Sequence, residues 1–250
     1  MSRIALITGA TSGIGKATAE AFAKSGIDLI LCGRRQERLT ELADALGKQV
    51  KITTLLFDVR NGDEVLKAIA SIPSDFHAID ILVNNAGNAH GMSPIQDGDF
   101  NDWDAMMDGN VKGLLYVSKA VIGGMIERGK GHIVNLSSVA GKQTYANGAV
   151  YCASKKAVEA ISEGMRLDLT QHGIKITNIA PGAVETEFSL VRFKGDENRA
   201  AKVYEGFDPL RAEDIADTIL YAVNAPAHVT IADVTIYAAA QAAPTTVYRK

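Results

Sequence analysis

Cysteine is scarce in this chain: Cys32 and Cys152 are the only two among 250 residues. That excludes a disulfide-stapled scaffold and suits a reducing compartment, where two small, partly buried thiols are the expected outcome. The five histidines (His77, His90, His132, His172 and His228) lack ligand spacing, so no metal site is expected. His132, in Gly131-His132-Ile133-Val134 at a strand start, is expected to be structural. Long apolar runs are missing too; none approaches the roughly 20 residues that span a bilayer. Met1-Ser2-Arg3 leads straight into Ile4-Ala5-Leu6-Ile7, too short for a signal peptide's apolar region and without its cleavage site. The expectation is a cytoplasmic protein. Neither sign of charge dominates: the net charge is −3, which gives no electrostatic reason to expect nucleic acid or a membrane as partner. No linker, low-complexity tract or short repeat interrupts the chain, and one domain over residues 1–250 is expected.

What the chain does have is a globular composition, 47% hydrophobic and 22% charged, and a regular alternation of patterns. Short apolar runs at Arg3–Thr8, Asp28–Cys32, Val50–Phe57, Ile79–Val83, Gly131–Leu136, Ile174–Ile179 and Val234–Tyr237 read as strands. Helical spacing marks Gly13–Ser25, Glu37–Leu46, Asp63–Ile72, Asp99–Arg128 (one helix or two), Ala149–His172 and Arg211–Asn224. Strands alternating with helices imply right-handed crossovers, hence an α/β fold with a doubly wound parallel sheet covered on both faces. The charge-rich segment 187–208 stands apart as a loop-and-helix flap.

Gly9-Ala10-Thr11-Ser12-Gly13-Ile14-Gly15 follows the first strand and opens the first helix. Such a turn lets the backbone approach a pyrophosphate while helix amides face its charge. At the end of the second strand the 2′-position of an adenosine ribose is read. This strand ends Cys32-Gly33-Arg34-Arg35, without an acidic residue. Arg34 and Arg35 can hold a 2′-phosphate through charge-assisted bonds. Positive charge is slightly unfavourable in a helix's first turn, which argues for an external anion. The expected cofactor is NADP (NADPH). Asp58-Val59 ends the third strand, where the carboxylate accepts from an adenine amino group or makes a cap or turn bond; the two roles are equally open. Asn84-Asn85-Ala86-Gly87 can line the ribose and brace the sheet. Backbone groups of Pro181-Gly182-Ala183-Val184 can reach a nicotinamide carboxamide, and Thr186 is placed to bond the same group or a phosphate.

Tyr151 and Lys155, in Tyr151-Cys152-Ala153-Ser154-Lys155, lie on one helix face, one turn apart. An ammonium there favours the phenolate, and a phenol so poised can pass a proton to a substrate oxygen near neutral pH. Asn110 follows Gly109 in a helical stretch, where it either stabilises a kink or is a plain polar residue. Trp103, Met106 and Met107, at helical spacing, read as core or subunit contact rather than as a substrate-lining stripe. Arg192, in the flap, either grips a substrate carboxylate or sulfonate in a forked geometry or stands as a surface arginine.

Taken in order, the glycine turn, Asn84-Asn85-Ala86-Gly87, Asn110, Ser138, Tyr151, Lys155 and Pro181-Gly182 resemble the short-chain dehydrogenase/reductase family. The resemblance implies a Rossmann-type domain with about seven strands. It also implies a homotetramer and a catalytic tetrad of Asn110, Ser138, Tyr151 and Lys155. By that resemblance Tyr151 is the acid/base and Ser138 orients the carbonyl. Lys155 holds the nicotinamide ribose and lowers the tyrosine pKa, and Asn110 retains a water. Within the family the chain looks most like the NADP-dependent 3-hydroxy acid dehydrogenases: serine and allo-threonine dehydrogenases and malonic semialdehyde reductases. Gly33-Arg34-Arg35-Gln36-Glu37-Arg38-Leu39, the stretch from Glu185 to Gly195 and Pro226-Ala227-His228-Val229 carry that likeness, and sulfoacetaldehyde reductases are also similar. The segment from Tyr145 to Val150 and the tail after Tyr237 depart from the serine-type pattern; both could line the substrate pocket or a subunit interface. Two other readings are 3-ketoacyl-thioester reduction and a dinucleotide sensor without turnover. The first would favour a basic patch at the pocket mouth, and the chain has no long basic run. The second would have no need of the complete tetrad.

Overall fold

A computed structural model describes residues 2–250. Its frame is a seven-stranded parallel sheet built from β1 (Ile4–Thr8), β2 (Asp28–Gly33), β3 (Ile52–Leu56), β4 (Ile81–Asn84), β5 (Gly131–Leu136), β6 (Ile174–Pro181) and β7 (Asp233–Ile236). The spatial order is β3-β2-β1-β4-β5-β6-β7. All residues of β1, β2, β4 and β5 are buried, as a sheet covered on both faces requires. Side chains alternate between two cores. Ala5 and Ile7 join Phe22, Leu29, Leu31 and Ile219 on one face, while Leu6 joins Ile30, Val121, Met125 and Ile133 on the other. Fully burying a side chain of the Leu or Phe class contributes roughly 1.5–3 kcal/mol, so each face has ample driving force.

The helices are α1 (Gly13–Lys24), α2 (Gln36–Leu46), α3 (Gly62–Ala70), α4 (Phe100–Met107), α5 (Gly113–Arg128), α6 (Val139–Lys142), α7 (Ala149–Leu169), α8 (Phe188–Arg192), α9 (Glu197–Lys202) and α10 (Ala212–Val223). A widened turn of π-helix, Asp108–Lys112, joins α4 to α5 and contains Asn110. The interruption falls where asparagine was expected to disfavour a regular helix. Most boundaries match the sequence reading, with small corrections. The third strand is shorter than Val50–Phe57. The helix expected to reach His172 ends at Leu169 and gives way to a single 3-10 turn, closed by Gly173 at φ +71°. Neither α6 nor the hairpin β8 (Gln241–Ala243) with β9 (Thr246–Val247) was foreseen; all three elements are too short for periodicity to register. The flap consists of α8 and α9, and its ends are drawn together by a bridge between Val184 and Leu210.

The strand order reverses between β1 and β4. The crevice beyond the strand carboxyl ends at such a point is where ligands bind in this architecture. The flap and the hairpin both reach over it.

Candidate active site

A cleft of about 640 Å³ runs along the carboxyl ends of the strands. Its first wall is the turn between β1 and α1. Gly9 and Gly13 adopt φ of +65° and +51°, the left-handed region that a side chain resists. Thr8 braces this turn: its hydroxyl accepts from the amides of Asn85 (3.1 Å) and Ala86 (3.0 Å). Asn85 Nδ2 returns bonds to the carbonyls of Thr8 (2.9 Å) and Gly9 (3.2 Å). Ser12 makes no side-chain cap on α1, and the helix's first turn carries no acidic residue. Its free amides therefore present positive potential to the cleft. A glycine cradle with open helix amides fits a pyrophosphate.

Gly9, Thr11, Ser12, Gly13, Ile14, Arg34, Arg35, Asp58, Val59, Asn85, Ala86, Gly87, Pro181, Gly182, Val184 and Thr186 all line the cleft. Gly15 does not, which corrects its expected place against the cofactor. It lies behind the turn, where a Cβ would stand 2.3 Å from the Gly9 carbonyl oxygen and 2.4 Å from Asn85 Nδ2. Its role is close packing of the helix on the strand.

At the end of β2, Arg34 reaches Asp58 at 3.4 Å. Arg60 clasps the same carboxylate at 2.6 Å, and its amide donates to Asp58 Oδ1 at 3.0 Å. Burial raises the Asp58 pKa, but the Arg60 bonds and the charges of Arg34 and Arg60 outweigh it and hold the group at about 2. Of the two roles left open for Asp58, the structure shows the turn bond. Arg35 lays Nε and Nη2 on the Thr11 hydroxyl (3.1 and 2.8 Å), gives a further bond to Ser12 (2.8 Å), and pairs with Glu187 at 3.1 Å. Arg38 holds the same Glu187 carboxylate at 2.8 and 3.0 Å. Glu187 and Arg38 were not singled out from the sequence, because their contact joins residues far apart in the chain.

Tyr151 and Lys155 rise from the start of α7, both buried. Lys155 Nζ donates to the Leu136 carbonyl at 2.9 Å. Burial lowers its pKa to about 8, partly countered by the Glu159 charge. Burial and the neighbouring Tyr145 push the Tyr151 phenol above its ordinary value, against the lowering effects of a Ser138 hydrogen bond and the Arg192 charge. Desolvation dominates at the phenol, and it weakens the lysine's own charge as well. Ser138 also accepts from the Ala140 amide at 3.1 Å as the N-cap of α6, and donates to the Pro181 carbonyl at 3.4 Å. Asn110 is buried one layer behind the cleft lining. Its Oδ1 accepts from the Asn88 amide (2.7 Å), and its Nδ2 donates to the Asn88 carbonyl (2.8 Å) and the Ser154 hydroxyl (3.0 Å). Gly87 closes this group: a Cβ there would stand 2.9 Å from Asn110 Oδ1 and 3.5 Å from Lys155 Nζ.

The sequence pattern of the short chain dehydrogenase family matches residues 3–196. This chain belongs to the short-chain dehydrogenase family. Similar members include sulfoacetaldehyde reductase 2 of Chromohalobacter salexigens, 48% identical over 92% of each chain. The NADP-dependent 3-hydroxy acid dehydrogenase YdfG of Escherichia coli is 46% identical over 91% of this chain and 92% of its own. Among solved structures, the closed form of a serine dehydrogenase complexed with NADP+ superposes with a TM-score of 0.93 at 43% identity, covering 99% of this chain and 100% of its own.

The remaining wall of this short-chain dehydrogenase's cleft comes from its flap and tail. Arg192, at the end of α8, points its Cζ over the Tyr151 ring at 5.3 Å from the centroid and over the Tyr145 ring at 5.7 Å. It donates to the Tyr145 hydroxyl (2.9 Å) and the Gly91 carbonyl (3.3 Å). Among the described residues no carboxylate pairs with it. Lys194, two residues on, is tied to Asp102 at 2.9 Å. Phe188 packs on Tyr151 with ring centroids 5.8 Å apart. Gln241, in the hairpin, accepts from the Ala183 amide at 2.9 Å and backs the Gly182 segment. From sequence the tail stands out only as a segment that could line the pocket or a subunit interface, with no residue marked in it. A lone polar residue near the chain end carries no signal of its own. No group of three or more His, Cys, Asp or Glu side chains is gathered as a metal site among the described residues.

Proposed function

We propose that this short-chain dehydrogenase is an NADP-dependent oxidoreductase that interconverts small 3-hydroxy acids, or their sulfonate analogues, with the matching semialdehydes. The observation that carries the substrate class is Arg192. A guanidinium without an acidic partner, lying over the Tyr151 ring, is a receptor for a carboxylate or sulfonate one or two carbons from the reacting centre. Tyr145, whose hydroxyl already touches Arg192, completes the anion site. The named relatives act on substrates of that kind, which supports the assignment.

The dinucleotide supplies or accepts the hydride when bound. The protein's residues do the rest. Gly9, Gly13 and the first amides of α1 would cradle the pyrophosphate, and Arg34 and Arg35 would meet the 2′-phosphate. Pro181, Gly182, Val184 and Thr186 edge the nicotinamide site. Lys155, held between the Leu136 carbonyl and Gly87, would bond a ribose hydroxyl of the bound dinucleotide. Tyr151 donates its phenolic proton to the carbonyl oxygen in reduction and takes it back in oxidation, while Ser138 steadies that oxygen. Asn110, clamped by Asn88, holds the end of a proton path behind Lys155. Burial alone leaves Tyr151 a weak acid, so bound dinucleotide and substrate must complete the electrostatics that place its proton transfer near neutral pH.

The reading includes one domain, a homotetramer and work in the cytoplasm. Leu115 on α5 and Leu167 on α7 are exposed apolar side chains that such an assembly would cover. An assay of NADPH and NADH oxidation with malonic semialdehyde, sulfoacetaldehyde and an acetoacetyl thioester tests the proposal. The expected result is turnover of the two small anions with NADPH well ahead of NADH. Turnover of the thioester alone would overturn the substrate class.

A further inference from the structure

We infer that Glu187 sets how tightly the cofactor's 2′-phosphate is held, by competing with it for Arg35 and Arg38. The inference rests on NADP as the cofactor and adds a specificity residue to that reading. Four guanidinium groups gather at this end of the cleft: Arg34, Arg35, Arg38 and Arg60. Two carboxylates meet them, Asp58 and Glu187.

The two carboxylates are not equivalent. Asp58 is locked by its own turn, with the Arg60 amide and side chain both bonded to it, and its side chain is 22% exposed. Glu187 is 46% exposed, sits at the mouth of the flap and is joined to the arginines by side-chain bonds alone. Arg35, by contrast, is steadied from the protein side by Thr11 and Ser12. An incoming phosphate therefore finds Arg35 already oriented, and the group it must displace is the less firmly anchored one. A phosphate monoester carries about −1.5 to −2 charge and three acceptor oxygens, so it outcompetes a single carboxylate at the same guanidinium. Once displaced, Glu187 is a like charge beside the phosphate, which weakens binding and speeds release. A cofactor without the 2′-phosphate has no group to contest these arginines.

The test is a set of fluorescence titrations of NADPH and NADH on the wild type and Glu187→Gln, with calorimetric titration of 2′,5′-ADP and ADP as fragments. Glu187→Gln should bind NADPH and 2′,5′-ADP about fivefold more tightly, the scale of two half-exposed ion pairs, with NADH and ADP unchanged. NADPH binding that stays the same or weakens in Glu187→Gln overturns the inference and makes Glu187 a residue that positions Arg35. So does equal tightening of NADH, which would trace the effect to the flap as a whole. A wild type with no preference for NADPH over NADH would instead strike the NADP reading, and this inference with it.

Discussion

At one end of the cleft, Gly9, Thr11, Ser12 and Gly13 come from one turn, and Arg34 and Arg35 from the turn that follows β2 beside it. At the substrate end, Tyr145, Tyr151, Arg192 and Gln241 come from four separate segments. The first end is assembled by the sheet itself: any chain that pairs β1 with β2 and starts α1 on time has built it. The second depends on a flap hung from the Val184–Leu210 bridge and a hairpin in the tail. The difference teaches where change is cheap. Substrate preference can drift through the flap and tail without disturbing the sheet, whereas the glycine turn between β1 and α1 cannot change without touching the fold.

The largest effect should come from the residue where the two ends meet. Tyr151→Phe removes the phenolic hydroxyl proposed as proton donor and little else, since the ring keeps its packing on Phe188. We expect kcat to fall about a thousandfold, within the range for loss of a general acid, while NADPH affinity stays within about twofold of wild type. Steady-state kinetics with a fluorescence titration reads both. Retained turnover would remove Tyr151 from the chemistry, and a large loss of cofactor affinity would show that the two ends are not separable there.

Arg192→Ala probes the substrate end alone. Its guanidinium is held by Tyr145 and Gly91 and touches nothing at the other end. The KM for an anionic semialdehyde should rise about 30-fold, the worth of a hydrogen bond to a charged group, with little change for a neutral aldehyde of the same length. Equal effects on both substrates would return Arg192 to the role of packing residue for the two tyrosines.

The same contrast explains what could be read from the chain. Strand runs, the glycine turn and the Tyr151–Lys155 pair are local patterns, and periodicity and spacing expose them. Ser138 and Asn110 became legible through family resemblance, since a lone serine and a lone asparagine signal little. Gly15 was visible in the turn while its role was not. A glycine between strand and helix serves ligand or packing, and only the 2.3 Å approach to Gly9 separates the two. Glu187, Tyr145 and Gln241 were visible only as parts of longer segments, because their individual meaning lies in long-range contacts. The surroundings of Tyr151 were half legible for a related reason. Spacing reveals a neighbouring charge but not the burial that opposes it.

The smallest effect on activity should come from the opposite edge of the sheet, at the amino end of β5. There His132 Nε2 meets the Thr177 hydroxyl at 2.7 Å, and that hydroxyl's own proton goes to the Ile231 carbonyl at 2.7 Å. Nε2 must therefore carry the hydrogen, and Nδ1 is a buried lone pair without a partner. Protonating Nδ1 would place an unsatisfied charge in the interior. Burial, helped by the Lys175 and Arg3 charges, accordingly lowers the His132 pKa to about 4 from 6.5. Because the folded pKa lies below the unfolded one, the unfolded chain binds the proton first as pH falls. Stability is thus level above about pH 6.5 and declines through the window down to about pH 4, by about 2–3 kcal/mol. His132→Gln keeps a donor for Thr177 and has no proton to gain. Urea unfolding at pH 7 and pH 4.5 should show a clearly shallower acid loss in the variant than in the wild type, with turnover at pH 7 nearly unchanged. Identical acid sensitivity in the two proteins would mean that other groups carry the whole effect. A large loss of turnover would instead show that the amino ends of the strands are coupled to the cleft.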